Sequence, residues 1–390
     1  MPTKKYFENT EVAFKLKSDS ELERAYFLFK MISKEPLVRI GTAATKFALN
    51  LNLPVEGLIR STVFDHFCGG VNEEDCMSTV DSLHKVGVFS VLDYSVEGKE
   101  EEKQFDATAQ KVIELTNFAK NKEAMPFSVF KPTGFGRFEI FQKLTENQKL
   151  SEAEEGQWQK IVERYDNVSK TAHDNGISLL IDAEQSWMQD AADSLCEEMM
   201  AKYNKERPIV FNTLQCYRWD RLDYLKDQHK KAKAGGYKLG FKVVRGAYLE
   251  AENERAIEKE YPSPICKSKK ATDDNFNEVM SYILDNLDDI WLFLGTHNEE
   301  STYLAMEIIQ NKNIDIKDHR VWFGQLYGMS DHITFNLGEL GYNVAKYIPF
   351  GPVKDVMPYL IRRAEENTSV AGQTSRELGL LKKEKERRKL

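Results

Sequence analysis

The feature that most limits what this chain can fold into is a series of short apolar runs. Each ends in polar residues and is followed by a longer, charged, amphipathic segment. The runs are GVFSVLDYS (87–95), FSVFKPTG (127–134), ISLLIDAEQS (177–186), IVFNTLQCY (209–217), LGFKVVRGAY (239–248), WLFLGTHN (291–298), VWFGQLYG (321–328) and VAKYIPFG (344–351). Strands with apolar residues at successive positions are covered on both faces, as in a parallel sheet wrapped by helices. Eight strand–helix units over roughly 280 residues match a closed (β/α)8 barrel, an α/β TIM-type fold. An open doubly wound sheet is the alternative, but GFGRFE at 134–139 lacks the last glycine of the fingerprint that its dinucleotide-binding version needs.

Upstream of the first run the pattern is helical. SDSELERAYFLFKMI opens on capping residues and keeps helical periodicity, and PVEGLIRSTVFDHF is similar. The expected division is a helical N-terminal region over 1–85, the barrel over 86–370 and a basic tail over 371–390. A net charge of -8 argues against broad nucleic-acid binding. No apolar run reaches the roughly 18 residues of a membrane span. The start, MPTKKYFENTEVAFK, meets Glu8 and Glu11 without an apolar signal core, so a cytoplasmic protein is expected. The five cysteines are scattered without a CxxC and the seven histidines without an HExxH, which points to neither a disulfide framework nor a zinc site.

Barrel enzymes carry their chemistry at the C-terminal ends of the strands. Here those positions hold Lys131, Asp182 with Glu184, Gln215, Arg245, Tyr248, Thr296 with His297, Gln325 and Tyr347. One polar residue after a strand is ordinary loop composition; the accumulation along successive strands points to a site. A metal hydrolase is poorly served, because only His297 among the histidines falls at a strand end. A Schiff-base aldolase using Lys131 or Lys242 is tenable. A non-catalytic binding module fits the variety of polar groups least.

YLIRRAEEN (359–367) adds a second signal. Helical spacing puts Tyr359, Arg362, Arg363 and Glu366 on one face, with Val353, Val356, Met357, Leu360 and Ala364 roughly opposite. Pro358 marks a helix start, so the arginines are expected within a turn of it, where the macrodipole disfavours cations. An anionic partner is expected there.

Taken in order, VVRGAYLEAE, GTHNE, FGQLYGMSD and YIPFGPVKDVMPYLIRRAEEN resemble proline dehydrogenase, in its single-function bacterial and mitochondrial form. The resemblance runs from VLDYSVEG to RRAEENTSV. It implies a (β/α)8 barrel holding FAD, oxidation of L-proline to 1-pyrroline-5-carboxylate by hydride transfer, and electrons passed to a membrane quinone. The downstream pyrroline-5-carboxylate dehydrogenase would be a separate chain. Carried over by motif, Arg362 and Arg363 with Lys131 bind the substrate carboxylate. Guanidinium groups suit that role, since they stay charged and give planar, directional donors. Tyr248, Leu326, Tyr347 and Tyr359 wall the ring. Asp182 and Lys242 are the catalytic candidates, beside substrate and flavin. Gln215, Val244, Gly246, Ala247, Lys269, Thr272, Thr296, His297 and Glu366 hold the cofactor, and Gly246 is expected to let backbone approach it. Many relatives carry arginine where this chain has Lys242, which keeps the charge and loses the fork.

A sister branch oxidises hydroxyproline and has a smaller residue at the Tyr347 position, so proline is the expected substrate. Quinone reduction calls for peripheral contact with the inner face of a membrane. Lys382, Lys383, Lys385, Arg387, Arg388 and Lys389 could supply it against anionic lipid, at about 1 kcal/mol each; a solvated helix end is the equal alternative.

Overall fold

The computed structural model describes residues 5–34, 36, 41, 56–95, 101–369 and 373–390; of residues 56, 58, 61, 364–369 and 373 it describes the backbone alone. Eight strands close in chain order into a barrel. They are β1 (Phe89–Tyr94), β2 (Phe127–Phe130), β3 (Ser178–Ile181), β4 (Val210–Gln215), β5 (Leu239–Val244), β6 (Ile290–Gly295), β7 (Val321–Leu326) and β8 (Val344–Phe350). The expected runs are therefore the strands, shortened where chemistry begins: β2 stops before Lys131, and β3 stops before Asp182.

Before β1 come α1 (Thr10–Ala13), α2 (Asp19–Ile32), α3 (Glu56–Ile59), α4 (Asp65–Phe67) and α5 (Glu73–His84). Between strands lie α6 (Glu102–Ala119), α7 (Phe138–Thr145), α8 (Glu152–Asn175), α9 (Ser186–Tyr203), α10 (Arg221–Gly235), α11 (Leu249–Glu258), α12 (Lys269–Asp285), α13 (Glu299–Asn311) and α14 (Asp331–Leu340). After β8 come α15 (Met357–Ser369) and α16 (Gln373–Arg388). Among the described residues no helix is long and apolar enough to cross a membrane. The chain falls into two compact units, residues 98–324 and residues 1–97 with 325–390.

In the 98–324 unit every residue of β2, β3 and β4 is buried, as strands covered on both faces require. Arg164 on α8 is buried and its guanidinium is fully used. It bonds Asp106 (2.9 Å) and Glu102 (2.7 Å) on α6 and the Phe135 carbonyl (2.8 Å), so the buried charge is paired.

In the other unit β1 pairs with β8 in parallel, from Phe89 with Ala345 to Tyr94 with Phe350. Ser18 and Glu21 form the reciprocal capping box expected at the start of α2. GFGRFE proves to span the end of a 3-10 turn and the start of α7, both in the first unit. The basic tail is not a frayed end. It is α16, whose Leu380 and Leu381 join Phe14, Leu22, Ala25 and Phe29 in one buried cluster. Four of the six cations from Lys382 to Lys389 pair with other parts of the chain: Lys383 with Glu8, Lys385 with Glu23, Arg387 with Glu11 and Glu384, and Arg388 with Asp19 and Glu384.

Candidate active site

Within the 98–324 unit the structure brings Asp182 and Lys242 together. The Lys242 ammonium, on a strand residue only 6% exposed, forms an ion pair with Asp182 just past the end of β3. A buried ammonium is tolerated only when paired, and this carboxylate is its counter-ion. Lys131 follows β2 directly and is partly buried. Thr133 beside it donates through both its backbone N–H and its hydroxyl to Glu184, at 2.9 Å each. That contact fixes the loop after β2 to the loop after β3.

The cofactor candidates in this unit cluster at the ends of β4, β5 and β6. Gln215 is buried, and among the described residues its Oε1 has no hydrogen-bond partner. An amide oxygen buried without a donor is costly, so this position suits a ligand that brings one. The imide N–H of a flavin is such a donor, and on that observation the residues fit FAD. Val244 ends β5, and Gly246 and Ala247 beyond it are exposed. Gly246 has φ +128°, and a Cβ there would sit 2.6 Å from the Tyr217 ring. Backbone conformation and that ring already demand glycine, with no cofactor needed to explain it. Tyr248 caps the start of α11.

Arg245, which family resemblance did not assign to the site, organises this end. Its guanidinium reaches Asp273 (2.7 Å), Thr296 Oγ1 (2.8 Å) and Ser301 Oγ (3.0 Å) and lies over the Phe276 ring. Thr296 is thereby fixed in place, with His297 next to it and partly buried. Lys269, at the first turn of α12, is exposed and paired with the same Asp273 at 2.6 Å; Thr272 is partly buried on that helix. Glu252 on α11 is another group the sequence reading missed. It is fully buried and accepts from the Ser186 N–H (2.6 Å) and hydroxyl (2.5 Å).

In the unit of residues 1–97 and 325–390, Tyr347 on β8 is buried and Leu326 at the end of β7 is partly buried. The Tyr327 N–H donates to the Tyr347 carbonyl at 2.8 Å. On α15, Tyr359 and Arg363 are buried and Arg362 is partly buried, with the Arg363 guanidinium 5.4 Å from the Tyr359 ring centroid. The helix is thus not a solvated amphipathic one. Val353, Val356, Met357, Tyr359 and Leu360 pack in one core cluster with Phe64, Phe67 and Met329. The helix starts at Met357, so the arginines occupy its second turn rather than its first. The dipole effect has largely faded there, so it gives little reason of its own to expect an anion. The Glu366 side chain lies outside the described atoms.

A family model described as proline dehydrogenase matches residues 76–376. The carbapenem antibiotics biosynthesis protein CarD of Pectobacterium carotovorum subsp. carotovorum is 36% identical over 334 residues, which are 85% of this chain and 86% of that protein. The mitochondrial proline dehydrogenase 1 of Dictyostelium discoideum is 30% identical over 431 residues, covering 97% of this chain and 74% of that protein. Among solved structures, proline utilization A from Bdellovibrio bacteriovorus, inactivated by N-propargylglycine, aligns with a TM-score of 0.70 and 20% identity. That alignment covers 94% of this chain and 37% of the other, and it supports the barrel alone. A match running through nearly all of a closed eight-stranded barrel, from before β1 to the helices after β8, leaves one assignment: the chain belongs to the proline dehydrogenase family.

Proposed function

We propose that this enzyme oxidises L-proline to 1-pyrroline-5-carboxylate using FAD, with a membrane quinone as the final electron acceptor, as the first step of proline catabolism. The observation that carries this reading is the ordered set of strand-end residues inside the region matched by the family model. When bound, FAD supplies the acceptor for the hydride leaving C5 of proline. Gln215, Val244, Gly246, Ala247, Lys269, Thr272, Thr296, His297 and Glu366 would hold it.

The chain's own residues bind and orient the substrate. Arg362, Arg363 and Lys131 take the carboxylate; the buried Arg363 is suited to a small anion withdrawn from water. Tyr248, Leu326, Tyr347 and Tyr359 enclose the ring and exclude water. Asp182, held by Lys242, is the anionic group assigned to the amine, which must lose a proton before C5 can be oxidised. The bulk of Tyr347 disfavours a ring hydroxyl, so proline is preferred to hydroxyproline.

The test is the visible spectrum of the purified protein under anaerobic conditions, with L-proline or hydroxyproline added in parallel. The expected result is an oxidised flavin band that bleaches faster with L-proline. Bleaching only by hydroxyproline would reassign the substrate. A flavin band indifferent to both would overturn the reaction. A colourless protein after incubation with FAD would overturn the cofactor.

A further inference from the structure

Lys346 is a lysine in the middle of β8, in a run of seven buried residues, and only 1% of its side chain is exposed. Successive strand residues face opposite ways, so Lys346 and its neighbour Tyr347 point to opposite faces of β8. The Lys346 ammonium is saturated. It donates to the Met329 carbonyl at 2.5 Å, to Asp331 Oδ1 at 2.9 Å and to the Leu326 carbonyl at 3.3 Å. Leu326 and Tyr347 are the two residues of this unit assigned to the proline ring from β7 and β8. Two contacts therefore set one against the other: Lys346 Nζ to Leu326 O, and Tyr327 N–H to Tyr347 O at 2.8 Å.

The chain of contacts continues outward. Asp331 begins α14, and its second oxygen, Oδ2, faces Lys17 Nζ at 3.1 Å. Lys17 lies in the turn between α1 and α2. Burial pushes the Asp331 carboxyl up, and the Lys17 and Lys346 ammoniums overcome it, holding it far below the ordinary carboxylate range. Two cations thus share one buried anion. Replacing such a group by apolar residues is often neutral or stabilising, so stability alone does not account for it.

We propose that Lys17, in the N-terminal helical arm, is a positioning residue for the proline site, acting through Asp331 and Lys346 on the Leu326 carbonyl and the Tyr347 strand. The proposal rests on the proline-oxidation reading above. Lys17 orients Asp331; Asp331 fixes the Lys346 ammonium; Lys346 holds the end of β7 against β8. Without Lys17 the carboxylate turns, and the Leu326 wall loses its registration with Tyr347.

The experiment uses the flavin-loaded enzyme and compares wild type with Lys17→Met, Lys17→Arg and Asp331→Asn. Lys17 borders a cavity of about 280 Å³ shared with Arg24, His66, Thr79 and Tyr327, so trimming it leaves space that water can fill. Lys17→Met should raise KM for L-proline about threefold to tenfold, the scale of a sub-ångström shift in one wall. Its kcat and flavin spectrum should stay near wild type. Lys17→Arg should restore KM to within about twofold, since it keeps the ion pair. Asp331→Asn should raise KM at least as much as Lys17→Met. An unchanged KM in Lys17→Met or in Asp331→Asn overturns the proposal, as does an equal rise in Lys17→Arg. Anaerobic bleaching of the wild-type flavin by L-proline is measured first. Failure there sinks the substrate assignment, and failure only in the variants sinks the positioning role.

Discussion

His66 on α4 makes the stability of this protein sensitive to pH in a window that can be worked out from its surroundings. Its Nε2 lies 3.0 Å from the Gly328 carbonyl, which can only accept, so Nε2 carries the proton and donates. Phe67 and Phe29 stand edge-on to the imidazole, at 4.6 and 5.5 Å between centroids. Burial, reinforced by the Lys17 ammonium, lowers the imidazole from 6.5 to about 3, although Asp331 pulls the other way. The folded protein therefore keeps His66 neutral where the unfolded chain would bind a proton. The stabilisation is fully present above pH 6.5 and is lost as pH falls from 6.5 towards 3.

At pH 4.5 the unfolded histidine sits two units below its own pKa, which at 1.36 kcal/mol per unit removes about 2.7 kcal/mol. A loss of that size is large against the roughly 5–15 kcal/mol that stabilises a typical domain. The comparison is wild type against His66→Gln, whose amide can reach the same carbonyl but does not titrate. Urea unfolding should be followed by far-UV circular dichroism. The difference in stability between the two proteins should shrink by about 2.7 kcal/mol between pH 8 and pH 4.5, because the remaining histidines cancel. Parallel curves for the two proteins over that range would refute the reasoning, as would an NMR titration of folded His66 with a midpoint near 6.5.

Four further outcomes follow from the same contacts. Arg363→Lys keeps the charge but loses the planar fork; a lost charge-assisted bond of about 1.5–3 kcal/mol should lower kcat/KM for L-proline roughly 10- to 150-fold, read by steady-state kinetics. Gly246→Ala places a Cβ 2.6 Å from the Tyr217 ring at φ +128°, and it should destabilise the protein by about 1–3 kcal/mol in chemical denaturation even without FAD. Leu381→Ala should cost about 2–5 kcal/mol in the same assay, because that leucine is 1% exposed in the cluster that anchors α16. Tyr347→Ser should shift the ratio of kcat/KM values towards hydroxyproline by opening space at the ring, and an unchanged ratio would remove Tyr347 from the specificity argument.

What could be read from sequence follows from whether the cause is local. The eight strands were legible because continuous apolar runs record burial on both faces, and Pro358 marked the start of the arginine helix to within a residue. The tail was not legible. LLKKEKERRKL reads as a solvated end because Glu8, Glu11, Asp19 and Glu23, which neutralise it, lie at the other end of the chain. Gly246 carries a cause that the sequence did not show: φ +128° and the Tyr217 ring 2.6 Å from a would-be Cβ already require glycine there, whatever the cofactor needs. Lys346 is the most instructive case. A lysine inside VAKYIPF stood in plain view, and a buried strand cannot keep an ammonium without a counter-ion. The sequence thus announced that a carboxylate must exist without saying which. Asp331 is 15 positions upstream at a helix start, an ordinary place for an aspartate. Only the fold shows that its other oxygen meets Lys17, and so that an N-terminal turn shares an ion with the strand beside Tyr347.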